Sequence, residues 1–256
     1  MDDLKDFLQG AAKFNDTESL PIKPLLERLA REGQTPDALF MTCADSRVDP
    51  LLIMQAKPGD LFILRNIGNL VPKVNGKDTS VMATVEYSVG ALGVKTIAIC
   101  GHSDCGAMKA VLSHKDLSSM PHAQEWLSAA SRSVENYENG GYDQVVFEEE
   151  LPEHDKLSKI NVVTQFENLL TYPIVREGIE QDTLRLVGMW FDIGNATVEV
   201  YDPASKTFCP VDQDEVSEHL KHPRTAAASV LGSAVACAVW DGHFDMAITA
   251  TTAMGL

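Results

Sequence analysis

Three short, nearly continuous apolar runs, at residues 37–43, 60–65 and 95–101, constrain this chain more than any other feature. Each has strand length, and none alternates polar with apolar, which is the pattern of a strand buried on both faces. Helical patterns separate them. Residues 50–56 open on Pro50, and residues 79–92 start on Thr79 and Ser80 as caps, carry Val81, Val85, Val89 and Leu92, and stop at Gly93. Strand, helix, strand, helix with short links dictates a right-handed parallel sheet covered by helices. In such sheets functional side chains collect at the carboxyl ends of the strands. Two of those ends read Met41-Thr-Cys43-Ala-Asp45-Ser-Arg47 and Ile99-Cys100-Gly-His102-Ser-Asp-Cys105-Gly.

Around this centre, apolar positions at helical spacing in residues 3–13 (Leu4, Phe7, Leu8, Ala11) and 22–32 (Leu25, Leu26, Leu29) predict two leading helices. They can pack on their own chain or on a neighbouring subunit. Residues 121–170 read as mainly helical, with Glu148, Glu149 and Glu150 as a solvated acidic face. Residues 184–191 predict a fourth strand, and 197–201 an edge hairpin joined through Asp192 to Asn195. Residues 225–240 are small and apolar, but fall short of the about 20 residues that cross a bilayer, so they predict a buried helix. The resulting division is an N-terminal helical arm at 1–33, an α/β catalytic domain at 34–201, and a C-terminal extension at 202–256 whose role is unassigned beyond packing at an oligomer interface.

A formal net charge of −16 sets the chain against nucleic acid and anionic membranes, whereas a small neutral substrate would not feel it. The acidic N-terminal stretch has neither the basic nor the apolar region of a secretory leader, which predicts a cytoplasmic protein. Five scattered cysteines, Cys43, Cys100, Cys105, Cys209 and Cys237, then read as metal ligands or buried thiols rather than as a disulfide framework.

Cys43, His102 and Cys105 are the residues placed to hold one zinc: thiolate and imidazole suit that ion, and three protein ligands leave a fourth position for water. Asp45 and Arg47 are two apart, close enough for the guanidinium to clamp the carboxylate and keep it ionised beside that water. Taken singly, each pattern is weak. A cysteine is often a small core residue, which is the reading for Cys100, Cys209 and Cys237, and an exposed Asp–Arg pair is often only an ion pair.

With those residues in hand, the chain resembles a β-class carbonic anhydrase. The matching text is Cys43-Ala-Asp45-Ser-Arg47-Val-Asp-Pro50, the stretch from Pro58 to Asn69 that contains Phe62, Arg65 and Asn66, the pair Glu86-Tyr87, and Cys100-Gly-His102-Ser-Asp-Cys105-Gly-Ala-Met108. The resemblance implies a zinc on Cys43, His102 and Cys105, one per chain, and an Asp45–Arg47 dyad that orients zinc-bound hydroxide. It implies an apolar pocket with Phe62 and Tyr87, and a Gln34 amide contributed across a dimer interface. It also implies a central four-stranded parallel sheet with an antiparallel edge strand, flanked by helices, in a dimer or tetramer. The activity implied is reversible hydration of carbon dioxide to bicarbonate and a proton. Carbonyl sulfide or carbon disulfide hydrolysis on the same site is one alternative, and a catalytically inactive zinc-stabilised scaffold is another. A subgroup of the family holds a non-catalytic bicarbonate with a Trp, an Arg and a Tyr at positions that here read Phe40, Arg65 and Phe191. Two of the three donors are gone, so Asp45 is expected to stay paired to Arg47 near neutral pH. His114, His122 and His154 read as surface residues rather than as a proton shuttle.

Overall fold

The computed structural model describes residues 4–74, 79–139, 141–147 and 150–211. In chain order the helices and strands are α1 (Leu4–Lys13), α2 (Lys23–Glu32), β1 (Ala38–Cys43), α3 (Pro50–Ile53), β2 (Leu61–Asn66), α4 (Thr79–Glu86), β3 (Thr96–His102), α5 (Gly106–Leu112), α6 (Pro121–Leu127), α7 (Ser131–Glu138), α8 (Glu153–Leu169), α9 (Pro173–Glu180), β4 (Arg185–Asp192), β5 (Thr197–Asp202) and β6 (Thr207–Pro210). The three apolar runs are the first three strands. The helix predicted over 79–92 runs as α4 to Glu86 and then widens into a π turn from Tyr87 to Ala91. The predicted 225–240 helix and Cys237 lie outside the described residues.

One six-stranded sheet carries the molecule, in the order β2-β1-β3-β4-β5-β6. The first four strands are parallel, and β5 and β6 add antiparallel. The expected edge strand is therefore joined by a second, formed after residue 201 where the hairpin at Asp202 turns the chain back. Because β1 lies between β2 and β3, the chain leaves its carboxyl end in one direction and returns beside it from the other. That is the topological switch point of an open α/β sheet, where a crevice opens. Register places Thr42 beside Cys100, so the turns after β1 and β3 emerge at the same level on either side of that crevice.

Helix α8 covers the sheet and is buried nearly all round. It packs tightly on β3 and β4, since a Cβ at Gly101 would lie 2.8 Å from Val162 Cγ2 and one at Gly188 would lie 3.1 Å from Phe166 Cζ. A helix in that position should be uniformly apolar, yet Asp155, Ser158, Asn161, Gln165 and Asn168 form a polar stripe at spacings of three and four. Every member is hydrogen-bonded. Asp155 Oδ1 accepts the Asp104 amide at 2.7 Å, and Ser158 donates to the His102 carbonyl at 3.0 Å. Asn161 donates to the Gly68 carbonyl at 3.1 Å, and Gln165 Oε1 accepts the Val71 amide at 2.7 Å and the Asn168 side chain at 3.2 Å. Each of these bonds but the last ends on a loop or strand terminus beside the crevice. No helix of the described residues is long and apolar enough to cross a membrane.

Asn161→Leu leaves the Gly68 carbonyl without its donor and removes the acceptor shared by the Ser133 hydroxyl and the Gln165 side-chain amide, which keep only their 3.5 Å contact with each other. The expected loss is about 2–3 kcal/mol in denaturant unfolding, against about 0.5 kcal/mol or less for exposed Glu177→Ala.

Candidate metal centre

The crevice brings together the side chains that the two motifs single out. Cys43 ends β1, His102 ends β3, and Cys105 sits where α5 begins. Their sulfur and nitrogen atoms all lie within 4.8 Å of one another, and all three residues are buried. Among the described residues this is the one such cluster of three or more His, Cys, Asp or Glu side chains.

Two local features fix the donors. The His102 Nδ1–H donates to the Ser103 carbonyl at 2.8 Å, which leaves the lone pair on Nε2. That Nε2 is fully buried and has no hydrogen-bond partner, a costly arrangement unless the atom serves as a ligand. Cys43 Sγ accepts the Gly68 amide at 3.4 Å. Gly68 reaches that position at a φ of 77°, where a Cβ would lie 3.0 Å from the Ala107 Cβ, so glycine is required there.

The electrostatics suit a cation. The Cys105 thiol beside it pulls Cys43 down to about 4 despite burial, aided by His102 and by the Gly68 amide. The same contact, together with burial, pushes Cys105 well above the ordinary thiol range. Burial opposes charge on His102, but the neighbouring Cys43 thiolate outweighs it and raises the imidazole pKa. The sulfur pair thus holds one negative charge and one proton that a metal can displace. Two thiolates and an imidazole on an orphaned nitrogen fit zinc, with room for a fourth ligand.

Asp45 and Arg47 lie beside this centre. Arg47 Nε donates to Asp45 Oδ1 at 2.9 Å and Nη2 to Oδ2 at 2.8 Å, a two-pronged clamp that holds Asp45 well below the usual carboxylate range. Asp45 Oδ2 is 4.0 Å from His102 Nε2, next to the ligand atoms without occupying their place.

The remaining predicted site residues scatter more widely. Phe62 on β2 and Tyr87 at the start of the π turn meet with ring centroids 5.9 Å apart and planes tilted by 40°, and Tyr87 is 52% exposed. Gln34 is exposed between α2 and β1. Phe40 and Phe191 are buried with Val48, Ala98, Cys100 and Met189 in one apolar cluster. Arg65 turns to the backbone instead, donating to the Cys43 carbonyl at 3.1 Å and to the Asp45 carbonyl at 2.6 Å. Cys100 is a fully buried thiol that desolvation pushes up to about 12, in keeping with a core role. His114 and His122 are exposed, whereas His154 is half-buried beside Asp104 and Asp155. Sequence reasoning passed over the α8 stripe and Asp104. The stripe had a signal in its helical spacing, but the same spacing describes a solvated face.

Comparison with known proteins gives a consistent result. The family model described as carbonic anhydrase matches residues 38–198. The carbonic anhydrase of Pseudomonas aeruginosa is 38% identical over 207 residues, 80% of this chain and 90% of that protein. The carbonic anhydrase of Synechococcus elongatus is 33% identical over 237 residues, covering 91% of this chain and 82% of that one. Among solved structures, the β-carbonic anhydrase CcaA superposes with a TM-score of 0.74 at 32% identity, covering 81% of this chain and 99% of its own. A tetrameric β-carbonic anhydrase of Sordaria macrospora has a TM-score of 0.60 at 28% identity, with coverage of 81% and 95%.

Zinc uptake by metal-free protein at pH 7 should release about one to two protons per metal, one from Cys105 and a fraction from His102, with Cys43 already ionised. Affinity should accordingly rise with pH. Titration in weak buffer with a pH indicator checks this, and release near zero would contradict the protonation states described.

Proposed function

The chain belongs to the β-carbonic anhydrase family, and from that premise we propose how its residues carry out the reversible hydration of carbon dioxide to bicarbonate and a proton. The single observation that carries the reading is the orphaned Nε2 of buried His102 facing two cysteine sulfurs, with a clamped carboxylate 4.0 Å away.

Cys43, His102 and Cys105 would hold the zinc, and the ion would supply a Lewis acid that makes a bound water far more acidic than bulk water. Arg47 keeps Asp45 ionised, so Asp45 is too weak a base to take the proton for itself. It acts as a hydrogen-bond acceptor that turns the oxygen lone pair toward the substrate carbon. Near neutral pH it stays on Arg47 rather than joining the ligands. Phe62 and Tyr87 give one aromatic wall of a pocket suited to a linear, uncharged substrate. Gln34 donates to the bicarbonate oxygen from a second subunit.

The same reading makes the chain a dimer or tetramer. Supporting it, Leu4, Phe7 and Leu8 on α1 are exposed at 70%, 61% and 54%, and edge strand β2 leaves Ile63 exposed. A long exposed apolar helix face and an uncovered strand edge are normally buried by association. Residues 1–33 then form an arm on the neighbouring copy, and residues 34–201 the catalytic unit. Phe7→Glu with Leu8→Glu should shift the sedimentation coefficient toward the monomer and lower activity together with it.

Stopped-flow hydration of carbon dioxide with metal analysis tests the assignment. Cys43→Ala should lose zinc and activity together. Asp45→Asn should keep about one zinc while kcat falls about 10- to 100-fold. Full activity in Asp45→Asn, or zinc-replete wild type with no hydration, would overturn the proposal.

A further inference from the structure

Arg47 is held from two sides, and only one of them belongs to the dyad. Beyond its two bonds to the Asp45 carboxylate, Nη1 donates to Asp104 Oδ2 at 2.9 Å and Nη2 to the Asp104 carbonyl at 3.2 Å. Four of the five guanidinium N–H groups are thereby engaged, two by each aspartate.

Asp104 is itself fixed in place. It sits at a φ of 60°, in the left-handed region. Its amide is bound by Asp155 Oδ1 of α8, and the Lys109 ammonium ion-pairs with its Oδ1. His154 Nε2 is 3.9 Å from that same oxygen. Asp45 lies in the turn after β1 and Asp104 in the turn after β3, so Arg47 ties the two ligand-bearing turns together across the crevice.

We propose that Asp104, backed by Lys109, is a positioning residue that grips the free edge of the Arg47 guanidinium, so that Arg47 presents the Asp45 carboxylate in a single orientation. The inference rests on Asp45 and Arg47 being the working dyad. A planar fork gripped along one edge can still pivot, and a grip on the adjacent edge, which shares Nη2 with the first, removes that freedom. Lys109 matters because Asp104 alone would draw Arg47 away from Asp45. With Lys109 present, two carboxylates face two cations, and the share of Arg47 that Asp104 draws is offset by its own ion pair with Lys109.

Asp104→Gly tests this with the backbone conformation intact, since glycine adopts the left-handed region freely. Asp104→Asn keeps a side-chain acceptor and tolerates the same φ, and Lys109→Gln leaves Asp104 itself in place. Each zinc-loaded variant would be examined by nitrogen-15 NMR of the Arg47 guanidinium, assigned through its absence in Arg47→Lys, and by stopped-flow hydration. In wild type, slow rotation should resolve the two Nη resonances. In Asp104→Gly they should merge, with kcat down about tenfold and KM changed by less than about twofold. Asp104→Asn should recover part of both effects, and Lys109→Gln should move both in the same direction by less. If the Nη resonances stay resolved, or if kcat stays within about twofold of wild type, Asp104 does not position Arg47 and the inference fails. An Asp45→Asn arm separates that failure from failure of the dyad: it keeps full activity only if the dyad reading is wrong. Should Asp104→Gly not accumulate as folded protein, the same two readings on Asp104→Asn and Lys109→Gln decide.

Discussion

The metal centre depends on a line of hydrogen bonds donated and accepted by one buried helix. Three ligands carried on two separate turns converge only if both turns are held at fixed height above the sheet. The polar stripe of α8 does this by meeting the Asp104 amide, the His102 carbonyl, the Gly68 carbonyl and the Val71 amide from a single rigid element. Burying five polar side chains on a core helix is costly unless each finds a partner, and a network in which all five are bonded, with Asn168 Oδ1 alone of their buried polar atoms left without a partner, gives the site one geometry rather than several. The close approach allowed by Gly101 and Gly188 brings the helix near enough for those bonds to form.

The switch point in the sheet explains why the chemistry lies where it does. Strand order alone puts a crevice between the ends of β1 and β3. The motif after β1 brings one thiolate and the carboxylate–guanidinium pair, and the motif after β3 brings the imidazole and the second thiolate. Two thiolates would reduce the positive charge left on a bound metal, and in the proposed mechanism that places more weight on Asp45. The long-range negative charge of the chain has little bearing on an uncharged substrate.

Much of this was legible in the sequence, for reasons that can be named. Unbroken apolar runs between Pro, Gly and Asp marked β1, β2 and β3, because strands covered on both faces have no polar side to show. The candidate ligands were legible because Cys43 and His102 stand at strand ends and Cys105 follows three residues later, where a helix begins. Gln34, Phe62 and Tyr87 enter only through family resemblance, since an exposed glutamine and two ordinary aromatic residues carry no signal of their own. β6 was missed because a four-residue strand with Thr207 and Pro210 in it has no alternation to read. The α8 stripe was missed because periodicity reports spacing and not burial. Asp104 was hidden among the ligand residues, and only the distances to Arg47 and Lys109 separate it from them.

The most direct test of the central claim is zinc K-edge X-ray absorption on the active protein at neutral pH. Two sulfur scatterers at about 2.3 Å and two nitrogen or oxygen scatterers at about 2.0–2.1 Å are expected, with one sulfur lost in Cys105→Ser. A wild-type shell with three or four sulfurs, or with none, would contradict it.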